Sequence, residues 1–219
     1  MAELQLVIFD CDGVLVDSEP ISNRVLARML TAEGLPTSLT LARREYQGLL
    51  LGDILAHAEA ALGRALPEGW AERYERARDE AFDAELKAVP HAAEAVEAVK
   101  RAGLAVCVAS QGRLSKTRLS LGVTGLRELF GERALFSAEM VPRGKPHPDL
   151  FLHAAATMDV AAAACAVVED TPSGAIAGVA AGMRVIGNAA DSDERALRAA
   201  GAEIVWSMAE VPGRLGLSA

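Results

Sequence analysis

The sequence predicts an α/β protein: a Rossmann-like parallel sheet with helices on both faces, plus an inserted all-helical domain. Three observations predict it. Leu4–Phe9, Leu104–Ala109 and Ala164–Val168 are short, almost wholly apolar runs, the texture of strands buried on both faces. From Pro90 onward, strand-like runs alternate with helical periodicities, the pattern of a parallel sheet under helices. Between the first run and Pro90, no strand-like run interrupts a stretch that reads as helix throughout. The expected division is an α/β core of residues 1–16 and 88–219 and a helical domain of residues 17–87.

In chain order, Ser18 is placed to cap a first helix, with Glu19 and Pro20 in its opening turn. Ile21, Val25, Leu26, Met29 and Leu30 then recur at helical spacing until Gly34. Further helices are expected over Leu39–Gln47, Gly52–Leu62 and within Pro67–Leu86. The second half reads as helix His91–Arg101, strand Leu104–Ala109, helix Leu114–Leu121 and a short strand Leu135–Ser137. Helix Pro148–Thr157, strand Ala164–Val168 and a glycine-dotted helix to Ala181 follow. Strand Met183–Ile186, helix Glu194–Ala200, strand Glu203–Trp206 and a last short helix complete the pattern.

Composition narrows the class. Apolar residues make up 51% and charged residues 24%, which fits a chain that buries a core. A net charge of −8 argues against nucleic acid or an anionic membrane as partner. No apolar stretch approaches the ~20 residues of a membrane span. Glu3 comes early, without the basic-then-apolar layout of an export signal, so a cytoplasmic location is the expectation. Cys11, Cys107 and Cys165 lie in or beside apolar runs without metal-type spacing and read as small interior residues. Oligomeric state is not written in the sequence.

Chemistry gathers at the strand ends. Ligands of open parallel sheets bind beyond the carboxyl ends of the strands. Here those ends carry Asp10 and Asp12, then Ser110, then Glu169 and Asp170. Buried carboxylates need a cation, a proton or donors. The acid set suggests a hard cation such as Mg²⁺, with Asp10 and Asp170 as direct ligands and Glu169 direct or one water away. Glu169-Asp170 could also cap the helix that follows, which is compatible with ligation. Lys145 stands in a rigid Gly-Lys-Pro-His-Pro loop. By itself it could be a surface charge; among these acids it is the expected countercharge. Ser110, Gln111 and Gly112 sit at a strand-to-helix junction that could grip phosphate oxygens or simply cap the helix.

Asp10-Cys11-Asp12-Gly13-Val14-Leu15-Val16-Asp17-Ser18-Glu19 resembles the first motif of the haloacid dehalogenase superfamily, in its phosphatase and phosphoglucomutase-like branch. Ser110 falls at the second-motif position. Lys145 in Gly-Lys-Pro-x-Pro-Asp resembles the third motif, and Val168–Gly174 the fourth. The resemblance spans the chain and makes the helical insertion a cap. It implies a Mg²⁺-dependent phosphatase acting on a small phosphorylated metabolite through an aspartyl-phosphate. Asp10 would be the nucleophile and Asp12 the acid and base. Lys145 and Ser110 would stabilise charge, and the Asp12 backbone carbonyl would join Asp10, Asp170 and Glu169 around the metal. Gly13 would give the sharp turn behind the acids. Gly13, Gln111 and Gly112 would line the phosphate, with Glu19 and Asn23 as polar contacts toward substrate.

Asp12 itself separates subclasses. A dehalogenase has no leaving alcohol to protonate, and that branch lacks the second aspartate. No lysine occurs between Asp17 and Glu85, which excludes the Schiff-base phosphonate route. The mutase-like branch uses a histidine shortly after the first motif and a cap arginine. Here Pro20-Ile21-Ser22-Asn23 and Gln47–Asp53 carry neither. Arg43 and Arg44 lie upstream and read as solvent-facing. Hydrolysis of a monophosphate, with a sugar or sugar-acid phosphate as the expected substrate, is preferred over a phosphosugar mutase. It is also preferred over a binding protein with a vestigial site. Leu49-Leu50-Leu51 is expected to pack inside the cap or to line the substrate entrance.

Overall fold

The computed structural model describes residues 3–46 and 49–217. The chain divides into two compact units, one made of the residues through Asp17 and from Lys87 onward, the other of Ser18–Leu86.

Strand β1 (Leu6–Phe9) opens the first unit. The chain then forms the helical unit: α1 (Glu19–Ala32), α2 (Leu39–Tyr46), α3 (Leu51–Leu62) and α4 (Trp70–Glu85). It returns through α5 (Ala92–Arg101), β2 (Ala105–Ser110), α6 (Leu114–Val123) and β3 (Leu135–Ser137). Then come α7 (Asp149–Thr157), β4 (Cys165–Glu169), α8 (Pro172–Ala180) and β5 (Arg184–Asn188). Last are α9 (Glu194–Ala199), β6 (Glu203–Val205) and α10 (Val211–Arg214). None of these helices is long and apolar enough to cross a membrane.

The six strands are all parallel, in the order β3-β2-β1-β4-β5-β6. This places β1 between β2 and β4, with Phe9 opposite both Val108 and Val168. Side chains alternate across the sheet. Leu6 and Ile8, Cys107 and Ala109, and Cys165 and Val167 join one core cluster with Leu150, Phe151 and Ala154 of α7 and Ala175 of α8. The alternating partners Val7 and Phe9, Val106 and Val108, and Ala166 and Val168 are buried as well. Burial of both sets is why these strands read as continuous apolar runs. The order reverses between β1 and β4, the switch point where a crevice opens at the carboxyl edge of a doubly wound sheet.

The chain leaves and re-enters this unit side by side. Val16 bridges Ala88 in antiparallel fashion, the Asp17 N–H donates to the Lys87 carbonyl, and the Val89 N–H donates to the Leu15 carbonyl. In the helical unit, Val25, Leu26 and Leu30 of α1 pack with Tyr46 of α2, Ile54 and Ala58 of α3 and Trp70 of α4. Tyr74 stacks on Trp70 and His57 sits edge-on to Tyr46, so His57 is a packing residue.

Several boundaries differ from expectation. Ser18 occupies the N-cap position of α1 in helical backbone conformation and makes no capping bond through its side chain. Helix α5 begins one residue late because His91 has a left-handed backbone, φ +65°. Strand β4 runs one residue further, so Glu169 is its last member rather than a residue beyond it. Strand β5 extends to Asn188, because Gly187 and Asn188 still pair with Ile204 and Val205. Polar and glycine residues look like strand stops in sequence, but the neighbouring strand supplies a ladder that keeps them in register. Leu49 and Leu50 are exposed, so they do not pack inside the helical unit, whereas Leu51 does pack against its core. The expected loop residues Gln47 and Gly48 lie outside the described residues.

Candidate active site

Two adjacent strand ends build the acidic centre. Asp10 follows β1 directly and its N–H donates to the Val168 carbonyl of β4. That bond carries the sheet register one step beyond the strand and brings Asp10 beside Glu169. Asp10, Glu169 and Asp170 are all buried, and one carboxylate oxygen of each lies within 4.8 Å of the others. Three acids this close repel one another, so the protein must supply cations or donors.

Lys145 supplies one. Its Nζ lies 2.6 Å from Asp10 Oδ1 and 2.5 Å from Glu169 Oε1, with the side chain only 4% exposed. The Phe151 ring lies beneath it, 5.0 Å from Nζ to the centroid. Burial pulls the Lys145 pKa down, but the Asp10 and Glu169 carboxylates outweigh burial and hold it above its ordinary value. Burial pushes Asp10 up to about 7; Lys145 opposes that rise, while Glu169 and Asp12 add to it.

Glu169 is fully buried and saturated with donors. Its Oε2 accepts from the N–H of Asp170 (3.0 Å), the N–H of Thr171 (2.9 Å) and the Thr171 hydroxyl (2.8 Å). The helix cap is not Glu169 or Asp170 but Thr171, whose Oγ1 accepts from the Gly174 N–H at the start of α8. Gly174 is required there: a Cβ would stand 1.8 Å from Glu169 Oε1. Gly13 is required twice over. Its φ is +73°, and a Cβ would stand 2.1 Å from Asp170 Oδ2. Its carbonyl accepts from Asn188 Nδ2 at 3.2 Å.

Asp12 stands apart from that cluster in its partners. Both of its oxygens accept from Lys116 Nζ, at 2.7 and 2.8 Å. The two side chains are 19% and 16% exposed, so this pair is shielded but not sealed.

Ser110 ends β2 with its side chain buried, and its Oγ accepts from the Gly112 N–H at 3.1 Å. It is not the cap of α6, which starts at Leu114 after Arg113. The Leu114 N–H is taken by Glu139 Oε2, so that first amide of the helix is not presented to an anion. Gln111 has a further role beside the junction. Its Oε1 accepts from the Lys145 N–H at 2.9 Å, and Gly144 lies so close that a Cβ there would be 2.5 Å from Gln111 Nε2. Gln111 Oε1 therefore ties the Lys145 loop to the end of β2. Glu19 and Asn23 lie on α1 and bond each other, Asn23 Nδ2 donating to the Glu19 carbonyl and carboxylate at 2.9 Å. Arg43 and Arg44 are exposed, as is His147, and His153 packs edge-on against Phe136.

The structure thus joins Asp10, Lys145, Glu169 and Asp170 in one cluster and links Gln111 to it. Lys116, Thr171 and Asn188 were not foreseen. Lys116 carried a readable signal: it is a lysine in the first turn of a helix that has no acid there, where positive charge opposes the helix dipole. Such a lysine calls for an acid nearby.

Comparison with known proteins places the chain in a family. A haloacid dehalogenase-like hydrolase family profile matches residues 4–182. The chain is 34% identical to the 6-phosphogluconate phosphatase of Escherichia coli (strain K12) over 87% of its own length and 85% of the relative's. It is 32% identical to hexitol phosphatase B of the same organism, covering 84% and 83%. A HAD family hydrolase of Deinococcus radiodurans R1, solved with bound phosphate and sodium, superposes with a TM-score of 0.82 at 32% identity, covering 99% of this chain and 98% of that one. With four motif positions arrayed along the carboxyl edge of the sheet and a profile match over most of its length, the chain belongs to the haloacid dehalogenase-like hydrolase family.

Proposed function

We propose that the protein is a Mg²⁺-dependent phosphatase that hydrolyses a small phosphomonoester, a sugar or sugar-acid phosphate, in the cytoplasm. One observation carries this reading: two aspartates two residues apart have different surroundings, Asp10 in a buried acid–lysine cluster and Asp12 outside it on its own lysine. That separation suits one acid as nucleophile and the other as proton carrier. The relatives named as phosphatases of 6-phosphogluconate and hexitols support the substrate class. Three free, buried cysteines fit a reducing compartment.

The donor set fits a hard divalent cation, being buried carboxylates with oxygens close enough to share one ion. We assign Asp10, Asp170 and the Asp12 backbone carbonyl as direct ligands. A carboxylate offers about four lone-pair positions. Glu169 spends its own on Lys145, Thr171 and the Asp170 amide, so we place it as the residue that orients Lys145, at most one water from the ion. When bound, Mg²⁺ supplies positive charge beside the phosphoryl oxygens.

The chain's residues then divide the work. Asp10 attacks phosphorus, its carboxylate oxygen forming the new O–P bond as the bond to the alcohol breaks. Asp12 gives its proton to the departing oxygen, then takes one from the water that cleaves the aspartyl-phosphate. Lys145, bonded to Asp10, offsets charge at the reacting oxygens. The Ser110 hydroxyl accepts from Gly112 and so turns its own proton toward a phosphate oxygen. Gly13, with its carbonyl pinned by Asn188, keeps the backbone close behind the acids. We assign substrate selection to the helical domain of residues 17–87, Glu19 and Asn23 included, and catalysis to residues 1–16 and 88–219.

The test is phosphate release from a panel of phosphorylated sugars, sugar acids and aryl phosphates with Mg²⁺. Turnover that disappears in Asp10→Asn is the expected result. Absence of turnover on every phosphomonoester, together with no trapping of a metallofluoride phosphate mimic, would overturn the reading.

A further inference from the structure

Asp10 and Asp12 each have an ammonium of their own, and only one of the two has a role in the scheme above. Lys116 is the other. It is the third residue of α6, a place where the helix dipole disfavours positive charge, and no acid in that turn offsets it. The side chain passes Gly112 closely: a Cβ on Gly112 would stand 3.3 Å from Lys116 Cδ, tighter than ordinary packing. It ends with one nitrogen on both oxygens of Asp12, at 2.7 and 2.8 Å. A donor on one oxygen would let the carboxylate swing about its Cβ–Cγ bond. A donor shared by both oxygens fixes its plane.

We propose that Lys116 is a positioning residue that holds the Asp12 carboxylate in the orientation needed to meet the leaving-group oxygen. The inference rests on the reading of Asp12 as proton donor. In that step the O–P bond from Asp10 forms and the bond from phosphorus to the alcohol oxygen breaks. The electron pair left on the alcohol oxygen takes the proton from one Asp12 oxygen. Each Asp12 oxygen keeps acceptor capacity whether or not one carries the proton, so Lys116 spans both throughout and the orientation survives the change of protonation. Proton transfer by a placed acid contributes about 10²–10⁴-fold, and misplacement of a reacting group by an ångström can forfeit about 10²-fold.

The experiment compares leaving groups. p-Nitrophenolate departs without a proton, whereas an alkoxide needs one. Values of kcat/KM report steps only through P–O cleavage, so later hydrolysis of the aspartyl-phosphate does not blur them. Lys116→Met keeps the apolar stem. It should lower kcat/KM at least about tenfold on the best alkyl phosphomonoester of the panel, and less than about threefold on p-nitrophenyl phosphate. Lys116→Arg, which can also span both oxygens, should restore most of the loss. Thermal melts with Mg²⁺ establish that each variant is folded. Equal losses on both substrates, or none, overturn the proposal; equal losses with a raised KM would mark Lys116 as a direct phosphate contact. Asp12→Asn separates this result from the reading beneath it. If Asp12→Asn shows the leaving-group split and Lys116→Met does not, only the role of Lys116 is lost. If Asp12→Asn shows no split, the acid role of Asp12 fails, and the Lys116 proposal with it.

Discussion

Asp10 and Asp12 share a residue type, a loop and a lysine partner each, yet their surroundings differ in kind. Asp10 sits within the sheet's hydrogen-bond register, next to two more buried acids, on a lysine that is 4% exposed. Asp12 lies two residues on, 19% exposed, on a lysine from a helix edge. In the first region burial sets the energetics, and every group there is held by something else. In the second, water can stand in for a lost partner. The same ion pair in name is therefore a structural necessity in one place and an orienting device in the other.

The largest expected effect breaks that comparison if it fails. Lys145→Met leaves Asp10 and Glu169 buried without their ammonium, and breaking a buried pair from one side costs about 3–5 kcal/mol. Lys116→Met leaves one partly exposed carboxylate and should cost no more than about 1 kcal/mol. Urea denaturation with EDTA present measures both. Phosphatase activity should be lost in Lys145→Met even where Mg²⁺ restores part of its stability. Equal stability losses would mean that burial does not distinguish the two pairs.

A smaller effect sharpens the contrast. Gly174→Ala puts a methyl where the Glu169 carboxylate stands, 1.8 Å from Oε1. Overpacking of this kind costs about 1–3 kcal/mol, and here it pushes Glu169 off Lys145. The expected outcome is a weaker apparent Mg²⁺ affinity in activity titrations, with the preference between alkyl and aryl substrates unchanged, because Asp12 and Lys116 are not displaced. A changed leaving-group preference would show that the two regions respond as one.

The smallest effect comes from a surface pair. Arg184 and Glu203 bond across β5 and β6 at 2.6 and 2.8 Å, both substantially exposed. The hydrogen bond from Arg184 holds Glu203 below the usual carboxylate range. A depressed carboxyl stabilises the fold above its unfolded pKa, and that contribution fades as pH falls through the folded value. Glu203→Gln should therefore lower stability at pH 7 by less than about 1 kcal/mol. The difference from wild type should shrink toward pH 3, and activity at pH 7 should be untouched. A melting-temperature series over pH checks the sign.

The parts of the site that could be read in advance share one property: they interrupt an apolar run. Asp10 after Ile8-Phe9, Ser110 after Val108-Ala109 and Glu169 after Val167-Val168 stand out because strands buried on both faces leave no room for polar residues before their ends. Lys145 was legible through its proline- and glycine-rich loop. Gln111 was read as a phosphate contact because it follows Ser110, and the bond from the Lys145 N–H to its Oε1 could not be read, because that partner is 34 residues away. Asn188 was hidden because Gly187-Asn188 looks like the end of a strand that in fact continues along β6.

The sequence by itself determined the strands, the helical insertion and the identity of the acids. Those follow from local patterns: apolar runs of strand length, helical periodicity, and polar residues where a run stops. Only the tertiary structure decided which cation serves which acid. Asp12 and Lys116 are 104 residues apart, and Asp10 and Lys145 are 135 apart. Their pairing is a consequence of strand order, which sets β1 between β2 and β4 and turns the start of α6 and the Lys145 loop toward the same edge. Strand order is fixed by burying every apolar face at once, a condition on the whole sheet that no local stretch of residues expresses.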